Sequence, residues 1–197
     1  MRVISGKKKG KKLLGPKTLN IRPTEDRIKE SMFNIISPIK EDAFVLDLFA
    51  GTGSIGIEFI SRGAKKTVFV DNSIDSVQII NKNLALTNFT ENSLVLKMDV
   101  LKALNYVSDK NFIFDYIFMD PPYEKVELYD ITLDKISALN LVKKSGILIA
   151  EHDSKLSLRT EYNNLSIYDI RKYGNKSMTY FKNNEVHNDE GYISGKF

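Results

Sequence analysis

Two clusters of residues in this sequence have the types and spacing to do chemistry. The first is Asp47-Leu48-Phe49-Ala50-Gly51-Thr52-Gly53-Ser54-Ile55-Gly56, a full G-x-G-x-x-G directly after a short apolar run. Asp71 follows twenty residues after Gly51. Glycines let a strand-to-helix turn come close to a ligand, and an acid at that distance is placed to accept from a ribose hydroxyl. Close packing of a helix on a sheet explains Gly56 equally well but leaves Asp71 unexplained. The second cluster is Asp120-Pro121-Pro122-Tyr123. Two prolines donate no hydrogen bonds and fix an extended loop, so their carbonyls are expected to stay open as acceptors. Beside them an aspartate can grip an amine and a tyrosine ring can stack a base.

Charge selects the ligand of the first cluster. A dinucleotide would bring its pyrophosphate to the loop close to Asp47, and an anion beside an anion is unfavourable in a partly desolvated cleft. S-adenosylmethionine has no phosphate and carries an ammonium and a sulfonium, so the same acid helps. Asp99, after the run Lys97-Met98, is a third carboxylate at a strand end and suits an adenine amino group. It serves equally well as a helix N-cap. The second cluster then suits methylation of an exocyclic amine, with no metal required. Such an amine is a poor nucleophile, and hydrogen bonds to its protons together with proximity to the cofactor supply the catalysis.

The elements that must hold these residues follow from apolar runs. Strands are expected at 44–48, 67–71, 93–98, 115–119 and 146–151, with helices at about 54–62, 74–88, 100–107 and 128–140 between them. Runs buried on both faces and separated by helices imply an α/β fold with a parallel sheet. Segments 165–172 and 177–182, joined at Gly174-Asn175, predict an antiparallel C-terminal edge hairpin and bring the count to seven strands. Near the N-terminus, Val3-Ile4-Ser5 and Leu13-Leu14 flank Gly6 to Gly10, which suits a small basic β-hairpin. Arg22-Pro23-Thr24 reads as an extended dipeptide and a helix N-cap, and Ser37-Pro38 ends that helix. The expected division is a hairpin arm at 1–21, a catalytic domain at 22–182 and a polar tail at 183–197.

Composition bounds the rest. The 197 residues, 42% hydrophobic and 27% charged, suit one globular domain. There is no cysteine. That excludes a disulfide scaffold, thiolate metal sites and the thiolate-dependent methylation of cytosine C5. No apolar run approaches the roughly 18 residues of a membrane span, so a cytoplasmic protein is expected. The net charge of +4 conceals an asymmetry. Residues 1–29 hold ten Lys/Arg against Glu25 and Asp26, whereas the other 168 hold 19 basic and 23 acidic side chains. A polyanion meeting Lys7, Lys8, Lys9, Lys11 and Lys12 is the expectation, with a merely solvated terminus as the alternative. His152 and His187 are isolated and lack a metal-ligand or triad partner at telling spacing.

DLFAGTG, the acid of FVDNS and DPPY, in that order, resemble class I S-adenosylmethionine-dependent amino-methyltransferases. GKKKGKKL followed by RPTEDRIKESMFNII resembles the start of the bacterial 16S ribosomal RNA guanine-N2 methyltransferases, and the likeness extends to about residue 182. The resemblance implies a Rossmann-like fold. It implies cofactor contacts from Asp47, Phe49, Ala50, Gly51, Gly53, Asp71, Asn72, Asp99 and Val100. It assigns the target amine to Asp120, Pro121, Pro122 and Tyr123, and adds Arg22, Thr24 and Arg27 to the lysines as RNA contacts. The partner it implies is 16S ribosomal RNA or the assembling small subunit, met by a monomer away from any membrane. A DNA or RNA adenine-N6 methyltransferase is the chief rival, although the chain has little room for a domain that reads DNA sequence. A protein-glutamine methyltransferase would more typically carry Asn at position 120. A nicotinamide dehydrogenase leaves Asp47 and DPPY unexplained, and a non-catalytic RNA-binding protein explains the lysines only.

Overall fold

The computed structural model describes residues 1–15 and 23–184, and for residues 23–25 only the backbone. Arg22, Lys17 and the tail from 185 onward lie outside the described residues. The chain divides into two units, Met1–Met98 and Asp99–Phe197.

In the first unit three parallel strands, β1 (Phe44–Leu48), β2 (Lys66–Asp71) and β3 (Ser93–Lys97), lie in the order β3-β2-β1. Val45, Leu46, Leu48, Val68, Phe69 and Val70 are all buried, which is why these runs show no polar alternation. Helices α1 (Pro23–Ile36), α2 (Ser54–Ser61) and α3 (Ile74–Thr87) accompany them. Helix α1 begins at Pro23, so Thr24 is inside the first turn instead of capping it; proline is well suited to that first position. The N-cap of α3 is Ser73, which accepts from Ser76 N, and its C-cap is Asn88 in the left-handed conformation. Helix α2 lies so near β2 that a Cβ on Gly56 would stand 2.3 Å from the Phe69 ring.

The expected N-terminal hairpin is reduced to one antiparallel bridge, Arg2 with Lys12, around a 3₁₀ turn at Gly6–Lys8. Val3 N donates to Lys11 O and Gly10 N to Val3 O. No longer ladder forms there because the N–H groups of Ile4, Ser5 and Lys8 are taken by side chains of α2. Val3 and Leu13 are buried in a cluster with Ile57, Ile60, Phe69, Ile80, Leu84 and Phe89. The segment is therefore packed into the first unit.

The second unit holds α4 (Val100–Asp109), β4 (Phe114–Met119), α5 (Glu127–Ala138), β5 (Val142–Asp153), β6 (Glu161–Tyr162), β7 (Leu165–Tyr173) and β8 (Lys176–Asn183). Its strands run in the order β4-β5-β8-β7-β6. Strands β4 and β5 are parallel, and β8 is antiparallel to both β5 and β7. The α/β class, the parallel strands and the antiparallel C-terminal hairpin with its turn at Gly174-Asn175 match the sequence reading. One short strand is added: β6, two residues long, gives eight among the described residues where seven were expected. Two residues are too few to show a period. Asn183, expected to open the polar tail, closes β8 instead, buried with its Nδ2 donating to Val142 O at 2.6 Å.

Candidate functional site

The glycine loop of the first unit is held by carboxylates. Phe49, Gly51 and Gly53 all have positive φ, at 57°, 55° and 74°. Asp71, at the end of β2, accepts from Gly51 N at 2.8 Å through one oxygen and from Ser73 N at 2.9 Å through the other. Asp47 is buried and accepts from Gly56 N at 2.9 Å. Gly53 N donates to Ala50 O and Ala50 N to Val70 O. Four N–H groups that a phosphate-binding loop would turn toward an anion, those of Ala50, Gly51, Gly53 and Gly56, are thus already taken, three by residues of β1 and β2 and two of these three by carboxylates. A cationic ligand without phosphate suits a loop flanked by these two carboxylates better than a pyrophosphate does. The loop also leaves room: an added Cβ on Gly51 would meet only Phe49 O, at 3.9 Å. Asp71 keeps lone pairs beyond the two it uses, enough for ribose hydroxyls. Asn72 is exposed. Ile74, which the sequence reading passed over, is an apolar side chain 55% exposed three residues after Asp71.

Asp99 caps α4. Its Oδ1 accepts from Leu101 N at 2.9 Å and Lys102 N at 3.4 Å, and the residue is exposed while Val100 is buried. The two roles considered for it are compatible, because capping uses one oxygen.

In the second unit β4, buried along its whole length, ends at Asp120-Pro121-Pro122-Tyr123. The expectation of open proline carbonyls needs correcting. Pro122 O accepts from Lys125 N at 2.9 Å in a turn, and Pro121 O lies 3.4 Å from the Tyr129 hydroxyl. The prolines supply no donors, so the loop closes through their carbonyls instead. Each keeps a second lone pair. Tyr123 is 46% exposed, and its hydroxyl donates to Glu151 Oε1 at 3.4 Å. Lys176 Nζ donates to the same oxygen. Burial pushes the Tyr123 phenol up to about 12, with the negative charges of Asp120 and Glu151 adding to it. For Lys176 burial pulls downward, but the Glu151 carboxylate outweighs it and keeps the ammonium above its usual pKa.

Glu151 and Lys176 were missed in the sequence. Glu151 closes the apolar run GILIAE, where an acid has no reason to be buried unless paired, and that was the available signal. His152 is also buried in β5. Its ring nitrogens lie 2.8 Å from Asp153 O and 2.8 Å from Thr179 Oγ1, and burial lowers its pKa.

The lysine segment of the first unit is anchored by a second buried acid. Glu58, fully buried in α2, accepts from Ile4 N at 2.8 Å, Ser5 N at 2.9 Å and Arg62 Nε at 2.8 Å. Lys29 Nζ lies 3.6 Å from it and donates to Arg2 O at 2.7 Å. Burial lowers the Lys29 pKa against the pull of Glu58. Lys7, Lys9, Lys11 and Lys12 are exposed, and Lys8 is partly so, with its Nζ 5.9 Å from the Phe89 ring centre. Arg27 is exposed on α1.

Residues 1–182 match the model of a family described as conserved hypothetical protein 95. A putative rRNA methyltransferase of Bacillus subtilis is 36% identical over 182 residues, covering 92% of this chain and 98% of that one. The ribosomal RNA small subunit methyltransferase D of Escherichia coli is 32% identical over 77% of this chain and 71% of its own. Among solved structures, a putative methylase from Haemophilus influenzae superposes with a TM-score of 0.76 at 28% identity, covering 93% of this chain and 98% of that one. With a family match that takes in both the lysine segment and the Asp-Pro-Pro-Tyr loop, this chain belongs to the family described as conserved hypothetical protein 95.

Proposed function

We propose that the protein transfers a methyl group from S-adenosylmethionine to the exocyclic N2 amine of a guanine in 16S ribosomal RNA. The observation that carries the chemistry is the half-exposed Tyr123 ring three residues from Asp120 at the end of the fully buried β4. The choice of ribosomal RNA draws on the relatives' names and on the exposed lysines. The choice of guanine draws on the likeness of the N-terminal half to the guanine-N2 enzymes. The protein acts in the cytoplasm as a monomer, on 16S ribosomal RNA or on the assembling small subunit.

S-adenosylmethionine, when bound, supplies an electrophilic methyl group. Asp47 and Asp71 hold the glycine loop in shape and keep negative charge at the ligand's cationic and ribose ends. Asp120 accepts a hydrogen bond from the target amine, and the second lone pairs of the Pro121 and Pro122 carbonyls are available for the other amine proton. These bonds favour a pyramidal nitrogen whose lone pair is withdrawn from the ring and so made nucleophilic. Tyr123 stacks the flipped base, which costs a few kcal/mol to extrude and least from a loop. Once methylated, the nitrogen is a strong acid, and its proton leaves readily to a carboxylate or to water.

Purified protein incubated with labelled S-adenosylmethionine and under-methylated small-subunit particles, followed by nucleoside mass spectrometry, tests the reading. Label is expected in N2-methylguanosine. Label only in N6-methyladenine, from RNA or DNA, establishes the rival adenine enzyme.

A further inference from the structure

Tyr123, Glu151 and Lys176 come from three separate segments of the second unit and meet at one carboxylate oxygen. Methyl transfer as described uses Asp120 and the face of the Tyr123 ring, and assigns nothing to the other two. A phenylalanine ring would stack a base as well as a tyrosine ring does, so the hydroxyl calls for a separate explanation. Glu151 is 7% exposed, and a carboxylate so buried is costly unless paired. Lys176 provides the pairing. The backbone of Glu151 is fixed as well, because its carbonyl accepts from the buried Tyr129 hydroxyl at 3.0 Å, the same hydroxyl that reaches Pro121 O. The loop, by contrast, is exposed from Pro122 to Glu127, so little packing restrains the ring itself.

We propose that Glu151 and Lys176 are positioning residues that hold Tyr123 by its hydroxyl and so fix the ring as the platform for the target base. The proposal rests on the function proposed above. The 3.4 Å bond from Tyr123 to Glu151 is long, in keeping with site hydrogen bonds that tighten only when substrate is bound. A phenol is protonated at neutral pH even at its ordinary pKa, and burial raises that of Tyr123 further, so the hydroxyl is a donor to Glu151. Lys176 is the first residue of β8 after the Gly174-Asn175 turn, so the antiparallel hairpin contributes a side chain to the target-base end of the unit.

The test measures kcat and KM for RNA in Lys176→Met, Lys176→Arg, Tyr123→Phe and the Lys176→Met/Tyr123→Phe pair. Misplacing a reacting group by about 1 Å costs on the order of 10²-fold, so a loss of roughly 10- to 100-fold in kcat is expected for Lys176→Met and for Tyr123→Phe. KM should change little, and Lys176→Arg should recover most of the rate. In the Tyr123→Phe background Lys176→Met should cost nothing more, since there is no hydroxyl left to hold; losses that multiply overturn the proposal. Because Lys176→Met leaves a buried acid unpaired, Lys176→Met/Glu151→Leu, which removes the acceptor together with the charge, is measured beside it and should show the same kcat loss. A normal rate in that pair also overturns the proposal. Failure of the function itself is told apart by NMR of the free protein carrying ¹³C-ring tyrosine, with no RNA or cofactor present. There the Tyr123 signal, identified by its loss in Tyr123→Phe, should move and sharpen in Lys176→Met/Glu151→Leu. An unmoved signal refutes the positioning role whatever the wild-type protein methylates.

Discussion

Three buried acids, Asp47, Glu58 and Glu151, perform different tasks here, and their neighbours decide which. Asp47 faces an N–H of the glycine loop, Glu58 two N–H groups and two cations, and Glu151 a lysine and a phenol. Asp120 differs in lying at a strand end beside an exposed ring. Asp120→Ala is expected to lower methyl transfer by about 10²-fold or more, as losing one positioned polar group does, with S-adenosylhomocysteine affinity almost unchanged. Near-normal turnover, measured by label incorporation, removes it from the chemistry. Glu58→Gln should behave otherwise. It leaves the buried Lys29 and Arg62 without their counter-charge, and breaking such a pair costs about 3 kcal/mol. Urea unfolding should report that loss, while cofactor affinity stays constant. The Asp71, Asp99 and Asp120 positions were legible because each follows or ends an apolar run, and Asp47 because it lies just ahead of the glycine loop. Glu58 was not, since an acid inside SIGIEFIS reads as a flaw in the pattern until the N–H groups of residues 4 and 5 are found on it.

At the scale of elements, strands β1, β2 and β4 were legible because burial on two faces leaves short runs rich in apolar residues, whereas the two-residue β6 left no such run. Strand β5 was harder. It starts at Val142, where Lys143, Lys144 and Ser145 break the apolar run and a register shift adjusts its pairing with β4. The N-terminal segment was harder still, because its hydrogen bonds go to side chains 53 to 56 positions away, which no local period records. Its lysines are held on a fixed support, so their charge is presented without first ordering the chain. Changing Lys7, Lys8, Lys9, Lys11 and Lys12 together to Gln should weaken RNA binding and flatten the slope of log affinity against log salt by about 0.7 to 0.9 for each phosphate no longer neutralised. Filter binding at several salt concentrations checks this. An unaltered slope means the lysines are solvated surface.

For the whole molecule, an unusual set of tyrosines predicts how stability responds to alkali. Burial raises the phenol of Tyr162 to about 12, with the hydrogen bond to Asp130 adding to it, and burial likewise raises Tyr129 and Tyr180 above their ordinary value. In the unfolded chain these phenols ionise near 10. Below pH 10 both states keep their protons, and the stabilisation is fully present. From pH 10 toward 12 the unfolded chain releases protons that the folded chain retains, so stability must fall as pH rises. Lys176, raised by Glu151, acts in the same sense above its ordinary 10.5. Lys29 acts in the opposite sense, because burial lowers its pKa and the strain of charging it is relieved as pH climbs to 10.5. Comparing variants at matched pH cancels the lysines. Tyr162→Phe keeps the ring that packs edge-on to Phe181 at 5.7 Å but has no proton to lose. It should be less stable than wild type at pH 8, where the Asp130 and Arg159 bonds are missing, and the gap should narrow between pH 10 and 12. Urea midpoints taken across that range decide the matter, and a gap that stays constant shows that the Tyr162 phenol titrates alike in the folded and unfolded chain.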